Sequence, residues 1–181
     1  MIREGVVMKK KRDPQTGTIC PSCGKGKLTF KAGKRDLGPL LGLNEVTVEN
    51  LSAPFCPTCG AILVPGEVLE LVSLAIAGSM LSQAELEPIE VRFLRKLLEY
   101  TQADLAEHLG VDRATANRWE QEGGRLTGAN SYALRSHVFM QLGDKAGALF
   151  AEAEKALKEH SAPRPTVPAY RTLDVERLRA A

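Results

Sequence analysis

The chain has 181 residues, with 24 Lys and Arg against 22 Asp and Glu for a net charge of +2. That length admits one large domain or two small ones. A hydrophobic fraction of 44% with only 5% aromatics points to a helix-rich core of Leu and Ala. The longest apolar stretch, Val68 to Leu81, is broken by Glu70, Ser73 and Ser79 and is too short to cross a bilayer. The basic run Lys9–Arg12 has no apolar segment of secretory type after it, so the expected compartment is the cytoplasm. There, four cysteines favour a metal site over disulfides.

The small net charge hides three blocks. Residues 1–36 hold ten basic and three acidic residues, 37–90 hold seven acidic and no basic ones, and 91–181 hold fourteen and twelve. Either the blocks are surfaces for different partners, or they fold together and neutralise each other.

Residues 1–18, basic and polar, read as a flexible N-terminus. A zinc-binding domain is expected over 19–83. In it Lys27–Lys31 and Glu45–Glu49 alternate as short strands, Gly38, Pro39 and Gly42 mark turns, and Ala61–Val64 is a third apolar run. Glu67 to about Ser82 reads as a helix apolar on nearly every side, packed on the sheet. With Glu45, Glu49, Glu67 and Glu70 and no Lys or Arg, segment 37–83 is the expected face for a basic partner. Residues 84–88, acidic and ending in Pro88, read as a linker.

After Pro88 the pattern becomes amphipathic helices, expected to form an all-α domain over 89–160. Val91, Leu94, Leu97 and Leu98 share one face of Ile89–Tyr100. Thr101 to Asp104 is a capped helix start, Gly110 suits the left-handed position that ends that helix, and Asp112 caps Arg113–Gln121. Two further helices are expected over Ala129–Leu142 and Lys145–Glu159. The proline-bearing tail, 161–181, reads as flexible, with room for a short helix at Leu173–Leu178. The whole is α+β: a small four-cysteine sheet with a helix, then a helical domain.

The chemistry-bearing motif is Cys20-Pro21-Ser22-Cys23-Gly24, repeated as Cys56-Pro57-Thr58-Cys59-Gly60. Each C-x-x-C turn puts two sulfurs on one side of a tight loop, and two turns supply four thiolates, a closed tetrahedral sphere for one structural Zn2+. A redox pair would not explain two copies. A closed sphere leaves no position for substrate, and His108, His137 and His160 are isolated and read as surface or packing residues. No catalytic residue is therefore assigned, and the chain is not expected to be an enzyme.

Leu105, Ala106, Val111, Ala116 and Trp119 are spaced to hold two short helices at a steep angle around Gly110. That is a helix-turn-helix, whose second helix shows Arg113, Ala114, Asn117 and Arg118 outward. Arg and Asn read guanine and adenine edges in the major groove. Gln102, Arg113, Thr115, Asn117 and Arg118 are the expected DNA contacts: Arg118 on a guanine, Arg113 and Asn117 as helpers, Gln102 on a phosphate. One such helix spans too few base pairs for useful specificity, so a homodimer on a palindromic double-stranded operator is expected, joined through the last two helices.

At these residues the chain resembles known families. Residues 89–142 resemble the Xre/Cro-type, lambda-repressor-like DNA-binding domain, residues 20–83 resemble the YgiT-type zinc finger, and their order resembles the MqsA family of bacterial antitoxins. The resemblance implies a type II antitoxin whose zinc domain inhibits an mRNA-cleaving toxin while its helix-turn-helix represses its own operon. It also implies base reading by Arg118 and a bridge between Arg95 and Glu120. The family's base-reading asparagine falls at Ala114, which has no hydrogen-bonding side chain. A stand-alone zinc-containing regulator without a toxin is the alternative.

Overall fold

The computed structural model of the chain describes residues 17–151, Glu154, Leu157 and 169–181. Most of the basic N-terminus, His160 and residues 161–168 lie outside the described residues. The fold is α+β and divides into two compact units, one built from residues 17–32 and 52–65, the other from 33–51 and 66–181.

In the first unit the two cysteine loops are each closed by an isolated bridge, Ile19 with Lys27 and Phe55 with Ile62. Leu28 is buried with Cys20 and Cys56, and Cys23, Ala61 and Leu63 pack against them. That is a very small apolar core.

The sheet has three strands in the order β1 (Thr29–Asp36), β2 (Thr47–Phe55), β3 (Thr172–Asp174). β1 and β2 each run on from one unit into the other, at Ala32–Gly33 and Leu51–Ser52. Asp36 ends β1 by accepting hydrogen bonds from the main-chain N–H of Gly38 (2.8 Å) and Val46 (3.2 Å), which fixes the turn through the short helix α1 (Gly38–Leu41).

Helix α2 (Gly66–Leu81) buries ten of its sixteen residues, as its all-round apolar pattern requires. Its larger contacts are with α6 (Gly128–Ala146), the 3-10 turn Gly147–Phe150 and the segment from Ala169 onward. It thus belongs with the second unit and not, as expected, with the cysteine loops. Gly78 is what allows one of these contacts: a Cβ there would stand 2.5 Å from the Leu149 carbonyl oxygen and 3.2 Å from the Phe150 ring.

Residues 84–88 are not a free linker. Leu86 is fully buried and bridges Leu126, and the Ala84 carbonyl accepts from Ser131 Oγ at 2.8 Å. Helix α3 (Pro88–Leu97) starts with Pro at its first position and a capping box in which Glu90 accepts from the Glu87 N–H. Helices α4 (Gln102–Leu109) and α5 (Arg113–Trp119) follow, then α6.

The expected flexible tail is ordered over 169–181. β3 pairs in parallel with β2, placing Thr172, Leu173 and Asp174 opposite Thr47, Val48 and Glu49. Helix α7 (Val175–Ala180) packs on α2. Tyr170 is buried and donates to the fully buried Glu90 carboxylate at 2.8 Å. Part of the acidic block is neutralised within the second unit, by Lys34 on Glu49 (3.6 Å), Arg171 on Glu45 (3.8 Å) and Arg125 on Glu85 (3.1 Å).

Candidate metal centre and polar helix pair

The four cysteine sulfurs all lie within 4.8 Å of one another. Cys20 and Cys59 are 3.8 Å apart at sulfur, as are Cys23 and Cys56. A tetrahedral ion with metal–sulfur bonds of about 2.3 Å needs edges of about 3.8 Å, so these four side chains fit one metal ion.

The loops are built for it. Gly24 and Gly60 have φ of +67° and +75° and turn their N–H groups back onto the carbonyls of Cys20 (2.8 Å) and Cys56 (2.9 Å). Gly26 leaves no space for a Cβ, which would run into Cys56 Sγ, and its N–H donates to Cys23 Sγ at 3.4 Å. The amides of Gly26 and Lys25 pull the Cys23 thiol down to about 6. The Ala61 amide pulls Cys59 the same way, but partial desolvation and the three neighbouring sulfurs outweigh it and push that thiol up to about 12. Four thiols this close cannot all ionise unless a cation shares their charge.

In the second unit, α4 and α5 pack closely around the turn 110–112. Thr101 and Asp104 form a reciprocal capping box at the start of α4, and Gly110, at φ +65°, ends it. Asp112 caps α5 through the Thr115 N–H at 2.8 Å. Leu105, Ala106, Ala116 and Trp119 are buried between the helices and their neighbours.

Below this pair lies a buried charge network. Glu120, 3% exposed, accepts from Arg95 Nε and, at 2.9 Å, from Arg95 Nη2. It is the bridge that the family resemblance implied. Burial pushes the Glu120 carboxyl up, but Arg95, Gln102 and Arg92 outweigh it and hold it below the ordinary carboxylate range. Arg95 Nη1 donates to the Tyr100 carbonyl at 2.7 Å, and Arg92 Nη2 to the Glu120 carbonyl at 2.7 Å.

The five expected contact residues fall into two groups. Arg113 and Arg118 are exposed on α5, while Thr115 and Asn117 are half-buried. Gln102 turns inward: its Nε2 donates to Asn117 Oδ1 (3.1 Å) and Glu120 Oε2 (3.2 Å), so both its side-chain N–H groups are taken. Glu120 can only accept, which fixes the orientation of the Gln102 amide and, through it, that of Asn117.

A model of the antitoxin component of bacterial toxin-antitoxin systems, MqsA, matches residues 18–137. The chain belongs to the MqsA antitoxin family. No curated protein and no solved structure matches it. This is not a family of enzymes, and no described helix of the antitoxin is long and apolar enough to cross a membrane.

The match ends at residue 137, so β3 and α7 lie outside the matched residues. Two groups escaped the sequence reading. His108 and His137, read as isolated, stand 5.1 Å apart, with the Tyr100 ring stacked on His108 at 4.6 Å. Arg135 is 2% exposed and donates to the Leu81 carbonyl at 3.1 Å, closing the last turn of α2. The two histidines lie on different helices, so no sequence spacing hinted at the first. Nothing in the local pattern signalled the second.

Proposed function

We propose that this antitoxin represses its own operon by binding a palindromic double-stranded operator as a homodimer, with α5 of each copy in a major groove. The helix-turn-helix is of the Xre/Cro type and works in the cytoplasm. One Zn2+ per chain, held by Cys20, Cys23, Cys56 and Cys59, has a structural role. The cysteine-bearing part binds the toxin, which the family resemblance makes an mRNA-cleaving ribonuclease.

The observation that carries this reading is α5 itself. Arg113 and Arg118 stand exposed on a short helix whose first turn is fixed by the Asp112 cap and whose end is tied to α3 by the Arg95–Glu120 bridge. Rigid placement of Arg and Asn is what base reading requires, whereas a helix used only for packing has no need of it. The inward amide of Gln102 makes it a support for Asn117, so phosphate contacts fall to Arg113 and the main-chain N–H groups that start α4. Exposed Met140 on α6 supports dimerisation through the last helices.

A binding titration over single-base operator variants tests the reading. Arg118→Ala is expected to cost about 1–3 kcal/mol and to relax preference at one symmetric base pair. A uniform loss across all sequences would remove Arg118 from base reading.

A further inference from the structure

From the hydrogen bonds along α5 we infer that Thr115 does not contact DNA but is a positioning residue: its hydroxyl holds the Arg118 guanidinium for base reading, and Asp112 sets the direction of that hydroxyl. This rests on the proposed DNA binding and goes beyond it, because it separates the residue that reads from the two that aim it.

The direction of each bond is fixed by chemistry. An ionised carboxylate only accepts hydrogen bonds. Asp112 Oδ1 takes the Thr115 N–H at 2.8 Å, and Oδ2 lies 2.7 Å from Thr115 Oγ1. A hydroxyl has one proton, so Thr115 spends it on Asp112. The Thr115 oxygen keeps only lone pairs, and Arg118 Nη2 donates into it at 2.8 Å. The chain of donation therefore runs Arg118 to Thr115 to Asp112, and no residue in it has a free choice of direction. The two bonds from Thr115 hold the Asp112 carboxyl below the ordinary range, with Arg118 a smaller cause, so the acceptor stays ionised at neutral pH.

The consequence for Arg118 is geometric. Guanidinium is planar with five N–H groups in a rigid fork, so pinning Nη2 restricts the plane in which the remaining donors lie. Thr115 is β-branched on a helix, which limits its own rotation and fixes the anchor. Arg118 is exposed beyond that single contact. Two aligned donors are what guanine O6 and N7 demand, whereas a phosphate accepts a guanidinium from many directions. Losing the anchor should therefore weaken discrimination between bases far more than it weakens attraction to DNA. Thr115, its proton committed to Asp112, has none to offer a phosphate.

The test starts from a randomised duplex DNA library, from which the full chain selects its preferred site. Affinities for that site and for every single-base variant are then measured with the wild type, Arg118→Lys, Thr115→Val, Thr115→Ala and Thr115→Ser, alongside each protein's Tm. Valine matches the shape of threonine without its hydroxyl, and serine restores the hydroxyl. Wild type should discriminate at one symmetric base pair, and Arg118→Lys should abolish that discrimination. Thr115→Val and Thr115→Ala should each lower it by about 3–10-fold. Their binding to unrelated DNA should be unchanged, and Thr115→Ser should restore the preference. If Thr115→Val weakens all sequences equally, Thr115 is a phosphate contact and the inference is wrong. It is equally wrong if discrimination survives both valine and alanine. A wild type that selects no site, or an Arg118→Lys protein with unaltered preference, overturns the base reading itself and the positioning role with it.

Discussion

The two units of this antitoxin are stabilised by different means. Among residues 17–32 and 52–65 there are three lysines, no Asp or Glu, and an apolar centre formed by Leu28 and two cysteines. The other unit buries Ile76, Met80, Leu81, Leu86, Leu94, Leu105, Leu126 and Leu134 almost completely. At about 25 cal/mol per Å2 of apolar surface, the second can hold itself together by burial and the first cannot. The difference teaches that where the apolar core is smallest, four clustered sulfurs stand in its place, and the structural metal proposed for them is open to direct test.

The largest expected break in the comparison is removal of the proposed metal ion. Cys56→Ser, or a strong chelator, should unfold the cysteine loops, because metal binding in such modules is worth about 10–16 kcal/mol. The helical circular dichroism of the second unit should persist. A metal-free protein with intact loops would show that the sulfurs are not needed. The converse experiment is Leu94→Ala in α3, a fully buried side chain. It should cost about 2–5 kcal/mol in thermal unfolding of the helical unit and leave the metal content untouched.

Breaking the bridge should have a smaller effect. Arg95→Ala or Glu120→Ala is expected to cost about 1–3 kcal/mol, since each takes the closest partner from a largely buried charge. An unchanged Tm in both variants would reduce the bridge to a surface contact. Tyr170→Phe should cost about 1–2 kcal/mol by removing one of the donors to buried Glu90, measured by denaturant unfolding.

Acid should sharpen the contrast. Burial and the nearby His108 hold His137 below its ordinary value of 6.5, so the folded state favours the neutral ring. Its contribution is complete above pH 6.5 and is lost as the pH falls through the lower folded value. Glu120 likewise contributes fully above 4.5 and loses that contribution as the pH falls through its own lowered value. Stability of the helical unit should therefore begin to decline below pH 6.5 and decline further below pH 4.5. His137→Gln should remove the part of the decline that begins below pH 6.5, as read by thermal unfolding across the pH range.

How much of this was legible in the sequence depended on distance along the chain. Each cysteine loop is a five-residue motif, and the caps at Thr101 and Asp112 act within four residues, so local chemistry declared them. The Arg95–Glu120 bridge spans 25 residues and came from family resemblance and not from pattern. Helix α2 announced that it was buried, but a hydrophobic surface does not name what will cover it. That cover proved to be α6 and a segment some 90 residues later, which composition alone had marked as loose. Thr115 was legible as a polar residue among the expected DNA contacts, but the direction of its proton was not. That depended on which neighbour could only accept.

The C-terminal segment also sets an order of events. Tyr170, Val175 and strand β3 close a sheet edge and a helix face made of residues 47–51 and 66–90. During synthesis, residues 17–151 leave the ribosome before the pieces that complete them. At roughly 5–20 residues per second the wait is short, yet for its duration the face of α2 is uncovered. The edge of β2 and that face of α2 are therefore closed only after residues 169–181 have been made, by a segment that lies beyond the residues the family model matches.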